Sequence, residues 1–187
     1  MRYTETELSG VILLEPARHG DSRGWFCETY SKAKLAECGI TCDFVQDNES
    51  FTAQRGTLRG LHFQNIPAAQ AKLVRVLRGE VYDVAVDLRR GSPRFGKWVR
   101  VHLSAENGRQ LFVPRGFGHG FVTLTDAVLF SYKVDSTYAP ALDRGIRFND
   151  PLFDIDWGVA EPILSEKDKN APFFADGDCN FVYGEEL

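Results

Sequence analysis

The chain has 187 residues, 43% hydrophobic and 26% charged, with a formal net charge of −4. That is ordinary for a globular protein and enough for one sizeable core, so a single domain over residues 1–187 is expected. The acidic balance, with a pI near 5.6, excludes a bulk basic field, and no apolar run has the length of a bilayer span, so neither nucleic acid nor membrane is an expected partner.

The opening MRYTETELSG has no basic or apolar signal region, which predicts a chain without a signal peptide that works in the cytoplasm. Cys27, Cys38, Cys42 and Cys179 match no zinc spacing and read as free thiols in a reducing compartment. GVILLE (Gly10 to Glu15) predicts a short strand, and the segment HGDSRGWFCETY (His19 to Tyr30) mixes turn residues with a second strand ending at Tyr30. Ser31 caps a predicted helix KAKLAEC, closed by Gly39. From Phe44 the hydrophobic period is two, with turns near Gly56, Gly79, Gly91, Gly108 and Gly116. Many short strands with Gly and Pro punctuation predict an all-β antiparallel sandwich or barrel with short helices. Late in the chain, SEKD has the pattern of a helix cap, with Ser165 capping and Asp168 reaching back.

GTLRGLHFQ (Gly56 to Gln64) is the densest stretch of chemistry, and with Lys72 it reads as lying on or beside one β-hairpin. Alternation puts Lys72 on a face with Val74 and Val76, opposite Arg75, and Tyr132 on a face with Val128, Phe130 and Val134. An inward lysine is costly unless it meets a partner or ligand; the alternative is a lysine that snorkels near a barrel mouth. A tyrosine in an apolar row is ordinarily a core residue with a bonded hydroxyl. His102 falls on a polar face and reads as exposed.

The spacing Pro114-x-Gly116-x-x-His119 resembles the second motif of the cupins, which are double-stranded β-helix or jelly-roll barrels, and His62 sits where their first motif would be. A metal-binding cupin has His-x-His and then Glu there. This chain has His62-x-Gln64 and then Lys72, a cation that opposes a metal, so no catalytic metal is expected.

At GTLRGLHFQ the resemblance narrows to the dTDP-4-dehydrorhamnose 3,5-epimerases. GDSRGWFCETY, FVQDNES, QAKLVRVLRGEVYDVAVDLRRGSPRFGKW, PRGFGHGF, SYKVDSTYAP, DRGIRFNDP and ILSEKD follow that family's order, from about Gly10 to Phe174. The resemblance implies a jelly roll, no metal, no cofactor, a dTDP-sugar substrate and a homodimer. It implies conversion of dTDP-4-dehydro-6-deoxy-D-glucose to dTDP-4-dehydro-L-rhamnose through proton removal and return at C3 and C5. That chemistry needs a base, an acid on the opposite face and a cation or donor for the enolate oxygen.

Carried onto this sequence, His62 is similar to the family's base and Asp168 to the aspartate that orients it, although a helix cap alone also accounts for Asp168. Tyr132 is similar to the general acid, and Lys72 to the lysine beside the enolate. Arg23 and Arg59 match pyrophosphate contacts, and Tyr138 matches a residue that stacks on thymine. Glu28, Gln46, Asn48, His119, Asp143 and Lys167 match further substrate-binding positions. Arg18, Arg55, Arg90, Arg94 and Arg115 are left as surface charges.

Three positions depart from the family pattern: His19 replaces an aromatic, Phe148 a tryptophan and Gly118 an alanine. Arg59 and His62 are three apart, which on a regular strand sends them to opposite faces. A bulge at Gly60 realigns them; otherwise Arg59 serves from the loop side or reaches the partner subunit's site. The competing functions are a 3- or 5-mono-epimerase of a related dTDP-4-keto-6-deoxy sugar, a nucleotide-sugar-binding cupin without catalysis, and a metal oxygenase.

Overall fold

The structure is a computed structural model that describes residues 1–185. In chain order its elements are β1 (Arg2–Glu5), β2 (Ile12–Glu15), β3 (Arg18–Asp21), β4 (Gly24–Cys27), α1 (Lys32–Ala36), β5 (Gln46–Thr52), β6 (Leu58–Gln64) and β7 (Lys72–Arg78). There follow β8 (Glu80–Asp87), β9 (Trp98–Ser104), β10 (Gln110–Val113), β11 (Phe117–Thr123), β12 (Val128–Val134), β13 (Asp143–Gly145) and α2 (Glu166–Lys169). Six strands form one antiparallel sheet in the order β1-β2-β10-β7-β12-β5, and five form another in the order β13-β6-β11-β8-β9. Strands β3 and β4 make a separate hairpin.

The inward faces of the two sheets meet in a core built from Val74, Val76, Val81, Ala85, Phe117, Phe121 and Phe130. The outer faces are covered as well. Leu58, Leu61, Phe63, Val84 and Val86 pack under Ile146, Phe153, Trp157, Phe174 and Phe181 of the C-terminal segment. Ile12, Leu14, Leu73 and Phe112 pack under Leu35 and Ile40 at α1. Leu73 is buried on the face opposite Lys72 for this reason, so β7 is apolar on both sides.

Helix α1 stops at Ala36, short of the predicted Cys38. Gly39 takes φ +82, its N–H bonds the Ala36 carbonyl, and the Ile40 N–H reaches back to Leu35. That pair of bonds is a Schellman ending, sealed by Leu35 against Ile40, and it consumes the last turn of the expected helix. The strand expected to run to Tyr30 ends at Cys27, because the chain then leaves the hairpin and the Thr29 carbonyl accepts from Gln110 Nε2. The larger correction concerns GTLRGLHFQ. β6 and β7 do not pair as a hairpin; the turn between them crosses from one sheet to the other. His62 and Lys72 therefore enter the barrel from opposite walls.

Candidate active site

The site is set by an extra residue in β6. His62 pairs with His119 and Arg59 with Phe121, so three steps on β6 match two on β11. This is the bulge that the spacing required, and it lies at Gly60. Leu58, Leu61 and Phe63 consequently pack outward, while Arg59 and His62 share the inner face. Only glycine fits there: φ is +131, and a Cβ would lie 2.6 Å from the Gly120 Cα. Arg59 is held toward the cavity by its own chain, its Nε donating to the buried Thr52 Oγ1 at 3.1 Å.

Arg59, His62 and His119 from one sheet, and Ser50, Lys72 and Tyr132 from the other, line a cavity of about 250 Å³. Phe121 and Phe130 form its apolar wall, stacked with centroids 4.1 Å apart. His62 Nε2 donates to Asp168 Oδ1 at 2.6 Å, which leaves Nδ1 as the basic nitrogen. Asp168 is 4% exposed, and its Oδ2 accepts from the Ser165 hydroxyl at 2.9 Å. The Asp168 N–H donates to Ser165 Oγ, so Asp168 belongs to the helix cap and to the histidine pair at once. Burial pushes the Asp168 carboxyl up, but the hydrogen bonds and charge of His62, Ser165 and Lys167 hold it below the usual carboxylate range.

Lys72 bonds only weakly, to Gln70 Oε1 at 3.3 Å, and its ammonium lies 5.7 Å from the Tyr132 ring centre. Burial lowers its pKa to about 8, against the pull of Asp143, Asp135 and Asp83. Burial raises the Tyr132 phenol; Arg59 offsets part of that and Asp143 adds to it. His119 Nε2 lies 3.0 Å from each oxygen of Asp83, a carboxylate with no exposed surface. Burial raises the Asp83 carboxyl, with His119 and Lys72 pulling back.

A second group forms the rim. Tyr138 Oη and Lys167 Nζ both donate to Asp143 Oδ2, at 3.2 and 2.5 Å. Gln46 donates to Asn48 and accepts from the Tyr138 N–H. Gln64, at the cupin ligand position, spends its amide on the backbone of Ala68, Thr137 and Ala139, and so fixes the loop that presents Tyr138. Tyr138 itself is 58% exposed. Among the described residues no group of three His, Cys, Asp or Glu side chains is arranged to hold a metal ion.

Arg23 and Glu28 are not brought to this cavity by their own chain. Arg23 pairs with Asp21 at the exposed β3–β4 hairpin, and Glu28 with Lys34. Arg18 and Arg115, expected as surface charges, have fixed partners: Arg18 bonds the Ala105 and Glu106 carbonyls, and Arg115 bonds Asp135. The sequence reading missed Asp83 and Ser50. Period two was the available signal, for it puts Asp83 in the row of Val81 and Ala85, and Ser50 in the row of Gln46 and Asn48.

A histidine held by a carboxylate, with a half-buried lysine and a phenol on the far wall, is an arrangement suited to acid–base chemistry through an enolate. Residues 5–176 match the family model described as dTDP-4-dehydrorhamnose 3,5-epimerase. The chain is 53% identical to the dTDP-4-dehydrorhamnose 3,5-epimerase of Pseudomonas aeruginosa, over 96% of this chain and 99% of that one. It is similar to the crystal structure of the Bacillus anthracis enzyme of that name with TDP and pyrophosphate bound, with a TM-score of 0.90, 49% identity, and coverage of 92% and 99% of the two chains. A Legionella pneumophila 3,5-epimerase in complex with dTDP-4-keto-L-rhamnose superposes with a TM-score of 0.90 at 45% identity, covering 95% of this chain and 94% of that one. Both share the cupin-type β fold seen here.

Proposed function

The chain belongs to the dTDP-4-dehydrorhamnose 3,5-epimerase family, and on that footing we propose how its residues convert dTDP-4-dehydro-6-deoxy-D-glucose to dTDP-4-dehydro-L-rhamnose. His62 removes the C3 proton, and the electron pair moves onto the C4 carbonyl oxygen as an enolate. Lys72 carries the countercharge for that oxygen in a dry setting, where electrostatic stabilisation is strong. Tyr132 returns a proton to C3 from the opposite side and regains one from solvent, while His62 releases its own. The same cycle then runs at C5. Asp168 holds the His62 tautomer and supports the imidazolium.

The observation that carries this reading is that His62 and Tyr132 enter one cavity from opposite sheets, with Lys72 beside them. A base and an acid on opposite faces of a ring are what inversion requires.

For the nucleotide, Arg59 and Arg23 take the pyrophosphate through their guanidinium forks. Tyr138 stacks on thymine, and Gln46, Asn48, Asp143, Lys167, His119 and Glu28 supply polar contacts. Arg23 and Glu28 stand outside their own cavity, so this assignment implies a homodimer in which the β3–β4 hairpin reaches the neighbouring site. Trp25 and Phe26, 61% and 70% exposed on that hairpin, are the side chains such a contact would cover. We read the chain as one cytoplasmic domain that needs no cofactor. Incubation with dTDP-4-dehydro-6-deoxy-D-glucose, followed by NMR of the ring couplings, tests the reaction: double inversion supports it, and unchanged or singly inverted sugar refutes it.

A further inference from the structure

Among the described residues, the hydroxyl oxygen of Ser50 is the buried side-chain polar atom that has no hydrogen-bond partner. It is not on a remote surface, for Ser50 lines the His62 cavity. Alternation along β5 turns Gln46, Asn48, Ser50 and Thr52 inward and leaves Asp47, Glu49 and Phe51 exposed. The other members of the inward row are all engaged within the protein. Gln46 bonds Asn48 and the Tyr138 N–H, and Thr52 accepts from Arg59. Ser50 sits opposite Phe130 in the sheet register, beside a wall that offers no polar atom. Folded proteins rarely keep a buried hydroxyl unpaired, because it has lost its water without a replacement. At the edge of a substrate cavity, the replacement is a group of the substrate.

We propose that the Ser50 hydroxyl hydrogen-bonds the C2 hydroxyl of the hexose and makes the site selective for sugars that carry one. The inference rests on the epimerase reading and adds a specificity contact to it. With C1 joined to the nucleotide, C4 a ketone and C6 a methyl, the free hydroxyls of the ring are at C2 and C3. The C3 hydroxyl swings across the ring when C3 inverts. The C2 hydroxyl keeps its configuration throughout, so a serine fixed on β5 by its pairing with β12 can hold it from substrate to product.

The test measures kcat/KM for wild type and Ser50→Ala on dTDP-4-dehydro-6-deoxy-D-glucose and on its 2-deoxy counterpart, with a thermal melt of both proteins. Ser50→Ala is expected to lose about 10-fold in kcat/KM on the 2-hydroxy sugar, chiefly through KM, and to change little on the 2-deoxy sugar. Its Tm should equal or exceed that of wild type, since the substitution removes an unpaired group. Equal losses on the two sugars, or no loss on either, overturn the proposal. A clear fall in Tm also overturns it, by showing that the hydroxyl is bonded within the free protein. A wild-type protein that turns over neither sugar instead refutes the epimerase reading itself.

Discussion

His62 Nε2 lies 2.6 Å from Asp168 Oδ1, a contact that joins residues 106 positions apart in the chain. Asp168 divides its work, with one oxygen on His62, the other on the Ser165 hydroxyl, and its N–H on the same hydroxyl. Asp168→Ala removes both links and should lower kcat by on the order of 10²–10⁴-fold. Ser165→Ala removes the cap and the hydroxyl on Asp168 Oδ2 but leaves the bond between Asp168 Oδ1 and His62. It should cost about 1 kcal/mol in a denaturant or thermal melt while leaving most of the activity. Equal activity losses in the two variants would mean that Asp168 acts only as a cap. The Asp168 carboxyl is held below its ordinary range, so its contribution to stability is present above about pH 4 and fades as pH falls through the folded value.

Gly60 should tolerate no side chain. An added Cβ meets backbone, the Gly120 Cα at 2.6 Å and the His119 carbonyl at 2.9 Å. Gly60→Ala should cost about 2–3 kcal/mol and displace Arg59 from the inner face, with loss of activity even at temperatures where the protein stays folded. Gly118→Ala is the control. There the new Cβ lies 3.1 Å from the tip of Leu88, a side chain that can yield, and both Tm and turnover should stay near wild type.

Lys72 sets an alkaline limit. Its folded pKa is depressed to about 8, so the ammonium that faces the enolate is lost as pH rises through that value. The pH profile of kcat/KM should bend downward near pH 8. Lys72→Met should lower kcat by on the order of 10²–10³-fold and abolish that bend. A bend that survives the substitution belongs to another group.

Tyr132→Phe separates acid from base. Removing the phenol leaves His62 able to take the first proton, so C3 exchange with solvent should persist while formation of the inverted sugar falls by on the order of 10²-fold or more. Equal losses in exchange and inversion would contradict an acid role. Burial holds the phenol above its ordinary value, which keeps it protonated at neutral pH and able to donate.

The fold was legible where local rules carried the information. Alternation turned Lys72 and Tyr132 inward, and the three-residue spacing of Arg59 and His62 demanded a bulge at a glycine, which β6 has. What local rules could not show was which sheet a strand joins. The turn after Gln64 looks like a hairpin, yet it crosses the barrel, because the outer faces of β6 and β7 bury against different segments of the chain. Asp83 escaped notice because its partner His119 is 36 residues away and a carboxylate between Tyr82 and Val84 reads as a strand interruption. Ser50 escaped for the opposite reason: its significance is the absence of a partner, which only packing reveals. Arg23 and Glu28 were named by resemblance, and in this chain their partners are Asp21 and Lys34.

The central claim is that His62 is the base for both inversions. Wild-type protein and His62→Ala, each incubated with dTDP-4-dehydro-6-deoxy-D-glucose in D₂O and followed by NMR, test it directly. Deuterium should enter at C3 and at C5 with wild type and at neither position with His62→Ala; label at one carbon only, or exchange that survives the loss of His62, would contradict it.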